Sequence, residues 1–332
     1  MIVRIFSAGG FGSKAFSRPE TDRNFELFRT FAPEIKFCMM SGIGKYFSLV
    51  KFAHTIFAMP FAAIAFVFAI RINRLDEIWS SAGWWWPLAV QVLLCMVFAR
   101  NVAMGFNRWA DRRIDAENPR TADREIPAGR ISPQAALWFV GGNAAAFILT
   151  AATINALTAL LSPVALGIVM AYSYCKRFTA LAHLVLGLSL GIAPAGTYIA
   201  VTGTLSWPAC LLSLLVMTWC GGFDIIYALQ DAEFDRAHGL HSIPARFSVR
   251  TALYISIALH AVSVAALFAF AFYCPGSLWL WIGCGLFVAI LAAEHGLVTP
   301  SRQRHIGIAF GTLNGLASLS LALFVIADLL LY

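Results

Sequence analysis

From Trp207 to Asp235 the chain reads Trp-Pro-Ala-Cys-Leu-Leu-Ser-Leu-Leu-Val-Met-Thr-Trp-Cys-Gly-Gly-Phe-Asp-Ile-Ile-Tyr-Ala-Leu-Gln-Asp-Ala-Glu-Phe-Asp. Its first part, to about Ala228, is long and apolar enough to cross a hydrocarbon core of about 30 Å as a helix. Lipid offers no water to an open backbone, and the run lacks the alternation of a barrel strand, so a helix is the structure that satisfies its peptide groups. The acidic residues arrive only as the apolar run ends. Comparable runs lie near 52–70, 85–106, 134–153, 155–174, 183–202, 252–273, 276–297 and 306–331, which predicts an all-α bundle of about nine membrane-spanning helices over residues 46–332. Residues 1–45 mix Gly, Ser, Pro and charge without periodicity and have no signal-peptide core, so they are expected to form a disordered tail.

The composition agrees: the chain is 60% hydrophobic and 12% charged, where soluble domains carry about 25% charge. A net charge of +7 could suggest nucleic acid, but 22 of the 24 Lys and Arg fall in segments that nine spans place on one side, with only Arg71 and Arg74 opposite. That bias predicts a cytoplasmic N-terminus and cytoplasmic long loops, an external C-terminus, and no nucleic-acid partner. The seven Cys show no CxxC spacing, fall mostly inside spans and read as small apolar fillers.

Acidic residues are scarce and clustered: of 17, five lie in 111–125 and four in 224–235, after the second and sixth spans. Asn107, Asp111 and Asp115 share one helical stripe at about 100° per residue, as do Asp224, Asp231 and Asp235 with Tyr227 alongside. Like charges at i, i+4 repel, and a hard divalent ion with oxygen ligands would relieve them. Basic residues accompany both clusters, with Arg120, Arg124 and Arg130 after the first, Arg246 and Arg250 after the second, and Lys176-Arg177 between. Alternating carboxylate and cation suits a metal-bound diphosphate. The competing reading is of solvated helix ends whose Asp residues pair with Arg108, Arg112, Arg113 and Arg236.

These residues resemble the UbiA superfamily of intramembrane prenyltransferases. Its first motif, Asn-x-x-x-Asp-x-x-x-Asp with Arg-Thr-x-x-Arg after it, is similar to Asn107, Asp111, Asp115, Arg120, Thr121 and Arg124. Its second is similar to Asp224, Tyr227, Asp231, Asp235 and Gly239, and an intervening Tyr-x-x-x-Lys-Arg to Tyr172, Lys176 and Arg177. The chain departs from frequent family residues at Arg108, at Gln230 and at Glu125-Ile126-Pro127. The resemblance implies that Asn107, Asp111, Asp115, Asp224, Asp231 and Asp235 hold Mg²⁺, with Asp111, Asp115, Asp231 and Asp235 at the catalytic centre. It also implies that Arg120, Arg124, Lys176 and Arg177 bind the diphosphate of a polyprenyl donor. His54 and Tyr227 would orient an aromatic acceptor.

The segments around His54 and His241 look like members acting on 4-hydroxybenzoate or on naphthoates of menaquinone synthesis. The implied setting is quinone biosynthesis in a bacterial cytoplasmic membrane. Haem, chlorophyllide and glycerol phosphate are the alternative acceptors. A carboxylate-lined transporter is the non-enzymatic alternative, and it predicts acids near the bilayer midplane rather than at span ends.

Overall fold

The computed structural model describes residues 44–50, 57–73 and 85–332. Among them the regular structure is helical, apart from one isolated bridge between Thr299 and Arg302. A short helix, α1 (Gly44–Val50), is followed by α2 (Met59–Ile72), α3 (Trp85–Ala110), α4 (Arg112–Glu117), α5 (Pro133–Ala152), α6 (Ala156–Cys175), α7 (Ala182–Thr202) and α8 (Trp207–Ala228). After a 3₁₀ turn at Leu229–Asp231 come α9 (Ala232–Ala237), α10 (Ile243–Arg246), α11 (Val249–Ala271) and α12 (Leu278–Leu297). A π-helical turn at Ile308–Leu313 then leads into α13 (Asn314–Leu331).

Eight helices are long and apolar enough to cross a membrane, and α2 is a shorter apolar helix of 14 residues. The all-α membrane bundle read from the sequence is therefore the fold of this integral membrane protein. The expected first span, 52–70, is described only from Phe57 onward, and the expected tail lies almost wholly outside the described residues.

The spans start where the sequence supplies caps. Ser132, Asn155, Ser206, Ser248 and Ser277 each accept a hydrogen bond from a first-turn N–H of the following helix, satisfying a donor that lipid cannot.

Helix α8 is the most enclosed span. It packs on α7 and α11, while α3 packs on α5 and α6, and α13 on α12 and α2. Between lipid-embedded helices there is little hydrophobic driving force, so close packing and buried polar ties must hold them. Small residues permit the closest approach: a Cβ on Gly187 of α7 would lie 2.0 Å from the Met217 carbonyl oxygen of α8, and one on Gly191 would lie 2.7 Å from that of Ser213. Pro194 interrupts α7 beside this contact, and the adjacent Ala195 N–H donates to Ser213 Oγ at 3.2 Å. Trp219, Phe61, Phe68, Phe270 and Phe287 fill the core behind α8. On its other side α8 faces a cavity.

Candidate active site

The cavity has a volume of about 420 Å³ and is bounded by α3, α6, α7 and α8. Along α6 its lining runs from Thr158 to the C-cap Lys176, about 27 Å at 1.5 Å per residue. Most of that length is apolar, with Val92, Phe147, Leu166, Val169, Leu190 and Ala193 in the wall. The acidic residues and most of the basic ones collect at one end.

Both acid motifs reach that end, and neither lies on one straight helix. Asp111 separates α3 from α4 with φ −90°, ψ 5°, and Asp231 closes the 3₁₀ turn after α8 with φ −105°, ψ 1°. The middle residue of each motif thus sits at a bend of the same backbone conformation, a region of φ/ψ space that active-site residues often occupy. The uninterrupted stripes expected from 100° spacing are corrected accordingly. The bends turn α4 and α9 so that Glu117 and His238, at their far ends, come within 3.6 Å.

Among the described residues, every motif carboxylate but Asp235 has a side-chain partner. Asn107 Nδ2 donates to Asp111 at 2.9 Å, and an Arg177 Nη lies 3.3 Å from its other oxygen. Arg124 donates to Asp115 Oδ1 at 2.6 Å. Arg120 holds Asp231 through Nε at 2.8 Å and through a second, shorter bond, and Asn118 Nδ2 adds a third at 3.3 Å. Tyr227 Oη accepts from Arg120 at 3.0 Å. Burial raises the Asp111 carboxyl above the ordinary carboxylate range, and Asp115 adds to the rise against the opposing pull of Arg177 and Lys176. The loop carrying the two arginines is pinned by Thr121 Oγ1 donating to the Asp115 carbonyl at 3.0 Å and by Ser48 donating to Glu125. The Lys176 carbonyl accepts from His241 N at 2.6 Å, which ties the α6–α7 loop to the segment after α9.

Asn107, Asp111, Asp115, Arg120, Arg124, Lys176, Arg177, Asp224, Tyr227, Asp231 and Asp235 all line this one cavity. His54 lies outside the described residues. Arg246 and Arg250 are exposed and take no part in the lining.

Sequence reasoning missed four contributors. His183, fully buried in the first turn of α7, places Nδ1 2.6 Å from Asp224 Oδ2, while its Nε2 accepts from Ile243 N–H at 3.3 Å. The second bond leaves the proton on Nδ1, so a neutral imidazole donates to the carboxylate. A histidine opening an otherwise apolar span was the available signal. Arg100 and Arg108, counted above among the loop charges, instead lie on α3 and line the cavity, Arg108 only 4% exposed. Ser173 on α6 lines it too, and both its Oγ and the Arg108 Nε have no hydrogen-bond partner among the described residues.

Comparison with known proteins now bears on a cavity with this lining. Residues 77–321 match the UbiA prenyltransferase family. The chain belongs to that family.

Among curated relatives it is 33% identical to a 4-hydroxybenzoate octaprenyltransferase of Aliivibrio fischeri (strain MJ11), over 49% of this chain and 56% of that protein. A further 4-hydroxybenzoate octaprenyltransferase, from Idiomarina loihiensis, is 32% identical over 68% and 78% of the respective chains. A protoheme IX farnesyltransferase of Symbiobacterium thermophilum is 30% identical over 70% and 80%. The matched region thus spans little more than half of the Aliivibrio relative. The apo structure of a UbiA homolog from Aeropyrum pernix K1 superposes with a TM-score of 0.71 at 29% identity, covering 83% of this chain and 98% of that one. A UbiA homolog from Archaeoglobus fulgidus bound to GPP and Mg²⁺ shares the fold, with a TM-score of 0.65 at 21% identity over 85% and 99%. This UbiA-family chain therefore has relatives of the same family that are named for different acceptors.

Proposed function

We propose that this UbiA-family protein transfers a polyprenyl group from its diphosphate to the ring of a hydroxylated aromatic carboxylate, 4-hydroxybenzoate or a dihydroxynaphthoate, for respiratory quinone synthesis. The observation that carries the reading is one cavity with three zones in sequence. A carboxylate and arginine cluster that includes the buried Arg108 lies at one end, the partly buried Arg100 lies about two helical turns deeper on α3 than Asn107, and an apolar trough runs on toward the opposite end of the bundle. These zones match a diphosphate, an anionic acceptor and a prenyl chain.

The donor set fits Mg²⁺. Asp115 Oδ2 and Asp235 Oδ2 are buried carboxylate oxygens without a hydrogen-bond partner among the described residues, and such atoms are costly unless a cation takes them. No three acidic, His or Cys side chains among the described residues form a metal cage by themselves. That suits Mg²⁺, which is commonly held by one or two carboxylates together with substrate phosphates. Asp111, Asp115, Asp231 and Asp235 would be its ligands, with Asn107 and Asp224 supporting. His183 fixes the orientation of Asp224, as a partner behind a ligand does.

When bound, the ion supplies positive charge that favours departure of the diphosphate. The protein's own groups do the rest. Arg120, Arg124 and Arg177 exchange carboxylate partners for phosphate oxygens and Lys176 adds its charge beside them, so the C–O electron pair leaves with a stabilised diphosphate. Arg100 holds the acceptor carboxylate and thereby sets the ring against the allylic carbon. The ring's π electrons form the C–C bond, and the ring proton passes to the released diphosphate, which restores aromaticity. The apolar walls hold the chain and exclude water that would otherwise capture the carbocation.

Purified protein in lipid, given labelled geranyl diphosphate, Mg²⁺ and a panel of acceptors, should prenylate 4-hydroxybenzoate or a dihydroxynaphthoate. Products from haem or glycerol phosphate, with none from either aromatic acid, would overturn the acceptor assignment. We also infer that the acid-motif end faces the cytoplasm, from the basic asymmetry of the loops. Reporters fused after Gly203 and Tyr332 should read external, and a cytoplasmic reading at Tyr332 would contradict that orientation.

A further inference from the structure

Away from the catalytic cavity, one buried amide ties three helices together. Asn314 opens α13 and is fully buried; its Oδ1 accepts from the Trp219 indole N–H of α8 at 2.9 Å. Its Nδ2 donates to Glu294 Oε1 of α12 at 2.9 Å and to the Ala309 carbonyl at 2.9 Å. Burying an amide is expensive unless its bonds are made, and the three bonds of Asn314 meet only in this arrangement of the helices. Trp219 is held from its backbone side as well, where His260 Nε2 donates to its carbonyl at 3.2 Å.

The Ala309 carbonyl belongs to the π turn at Ile308–Leu313. Isolated π turns inside α-helices occur frequently at functional sites, because the extra residue re-aims the side chains of one turn. Phe310 lies in this turn. Its ring lies 4.2 Å from that of Tyr227 and contacts Phe223 at 5.5 Å, and it lines the cavity. Tyr227 in turn meets Arg120 twice, through the 3.0 Å hydrogen bond and through its ring, 5.4 Å from the guanidinium carbon. Arg120 arrives on a loop, with a third of its side chain exposed.

We infer that Phe310 is a positioning residue: held by the Trp219–Asn314–Glu294 knot through the π turn, it fixes the Tyr227 ring and so fixes the Arg120 guanidinium that binds the diphosphate. This rests on the reading of Arg120 as a diphosphate ligand. With Leu at 310 the Tyr227 ring loses the flat surface it lies against, and the loop arginine loses a defined place to return to when Asp231 is given to the metal.

The full chain in lipid nanodiscs supplies two readouts. In limited trypsin digestion followed by mass spectrometry, Phe310→Leu should speed cleavage after Arg120 about five-fold while cleavage after Arg130 is unchanged. Phe310→Tyr, which keeps the ring, should digest as wild type. Phe270→Leu removes a fully buried ring from the core packed against Phe68, so it controls for general loosening. For geranyl S-thiolodiphosphate with Mg²⁺, Phe310→Leu should bind about ten-fold more weakly, and Arg120→Gln/Phe310→Leu no more weakly than Arg120→Gln alone. Unchanged cleavage after Arg120 in Phe310→Leu, equal acceleration in Phe270→Leu, or multiplicative losses in the double variant would each overturn the inference. Faster cleavage after Arg120 in Phe310→Leu, together with a wild type that fails to bind the analogue, would support the positioning and count instead against the proposed function.

Discussion

Arg100→Leu is expected to leave release of diphosphate in the absence of acceptor at the wild-type rate, while raising the apparent KM for 4-hydroxybenzoate about 10- to 100-fold. Arg100 lies on α3 well inside the bilayer-spanning stretch and lines the cavity beyond the acid motifs, where a charged side chain is costly and marks a functional position. A buried hydrogen-bonded pair between a guanidinium and a carboxylate contributes about 1.5–3 kcal/mol, and each 1.4 kcal/mol is a factor of ten in affinity. Leucine relieves the span of a charge and keeps apolar bulk, so insertion and folding should survive, as a single symmetric elution peak would verify. The effect should depend on the acceptor's own charge. Phenol, which lacks the carboxylate, should be a poor acceptor for wild type and no worse for Arg100→Leu. An unaltered KM for 4-hydroxybenzoate in the variant would remove Arg100 from the acceptor site.

Much of this architecture was legible because two of its signals are local. A span needs only a sufficient run of apolar residues, and those near 134–153, 155–174, 183–202 and 276–297 agree with α5, α6, α7 and α12 to within a few residues. The acid motifs stood out because carboxylates are rare in such a chain, and the structure gathers both around one cavity.

The less legible features depend on pairings across the sequence. Angular arithmetic along a straight helix cannot anticipate the bends at Asp111 and Asp231, which bring α4 and α9 toward each other. Nor can it match His183 to Asp224, 41 residues away, or Asn314 to Trp219, 95 residues away. Arg100 and Arg108 were misassigned for a different reason. The charge bias that reports topology counts every cation near a span end as a loop cation, whereas these two line a cavity that only the assembled bundle creates.

Asp235→Asn should produce the largest loss of activity with the least structural disturbance. Asp231 is a poorer choice, because changing it would also free Arg120 and mix two effects. Asp235 is 3% exposed and lines the cavity, and among the described residues it forms no salt bridge and its Oδ2 has no hydrogen-bond partner. The amide keeps the size of the side chain and relieves the site of a buried charge, so stability should hold or rise. What disappears is one strong electrostatic contact to the metal, about 3 kcal/mol, which corresponds to roughly 10²-fold in rate. Glu233, two residues earlier, is exposed and outside the lining, so Glu233→Gln represents an acid that is merely a solvated helix end. The decisive measurement is the rate of diphosphate release against Mg²⁺ concentration for wild type and these two variants. A shared metal–diphosphate site predicts that Asp235→Asn falls about 100-fold and requires more Mg²⁺, while Glu233→Gln superposes on wild type; an Asp235→Asn curve that also superposes would contradict it.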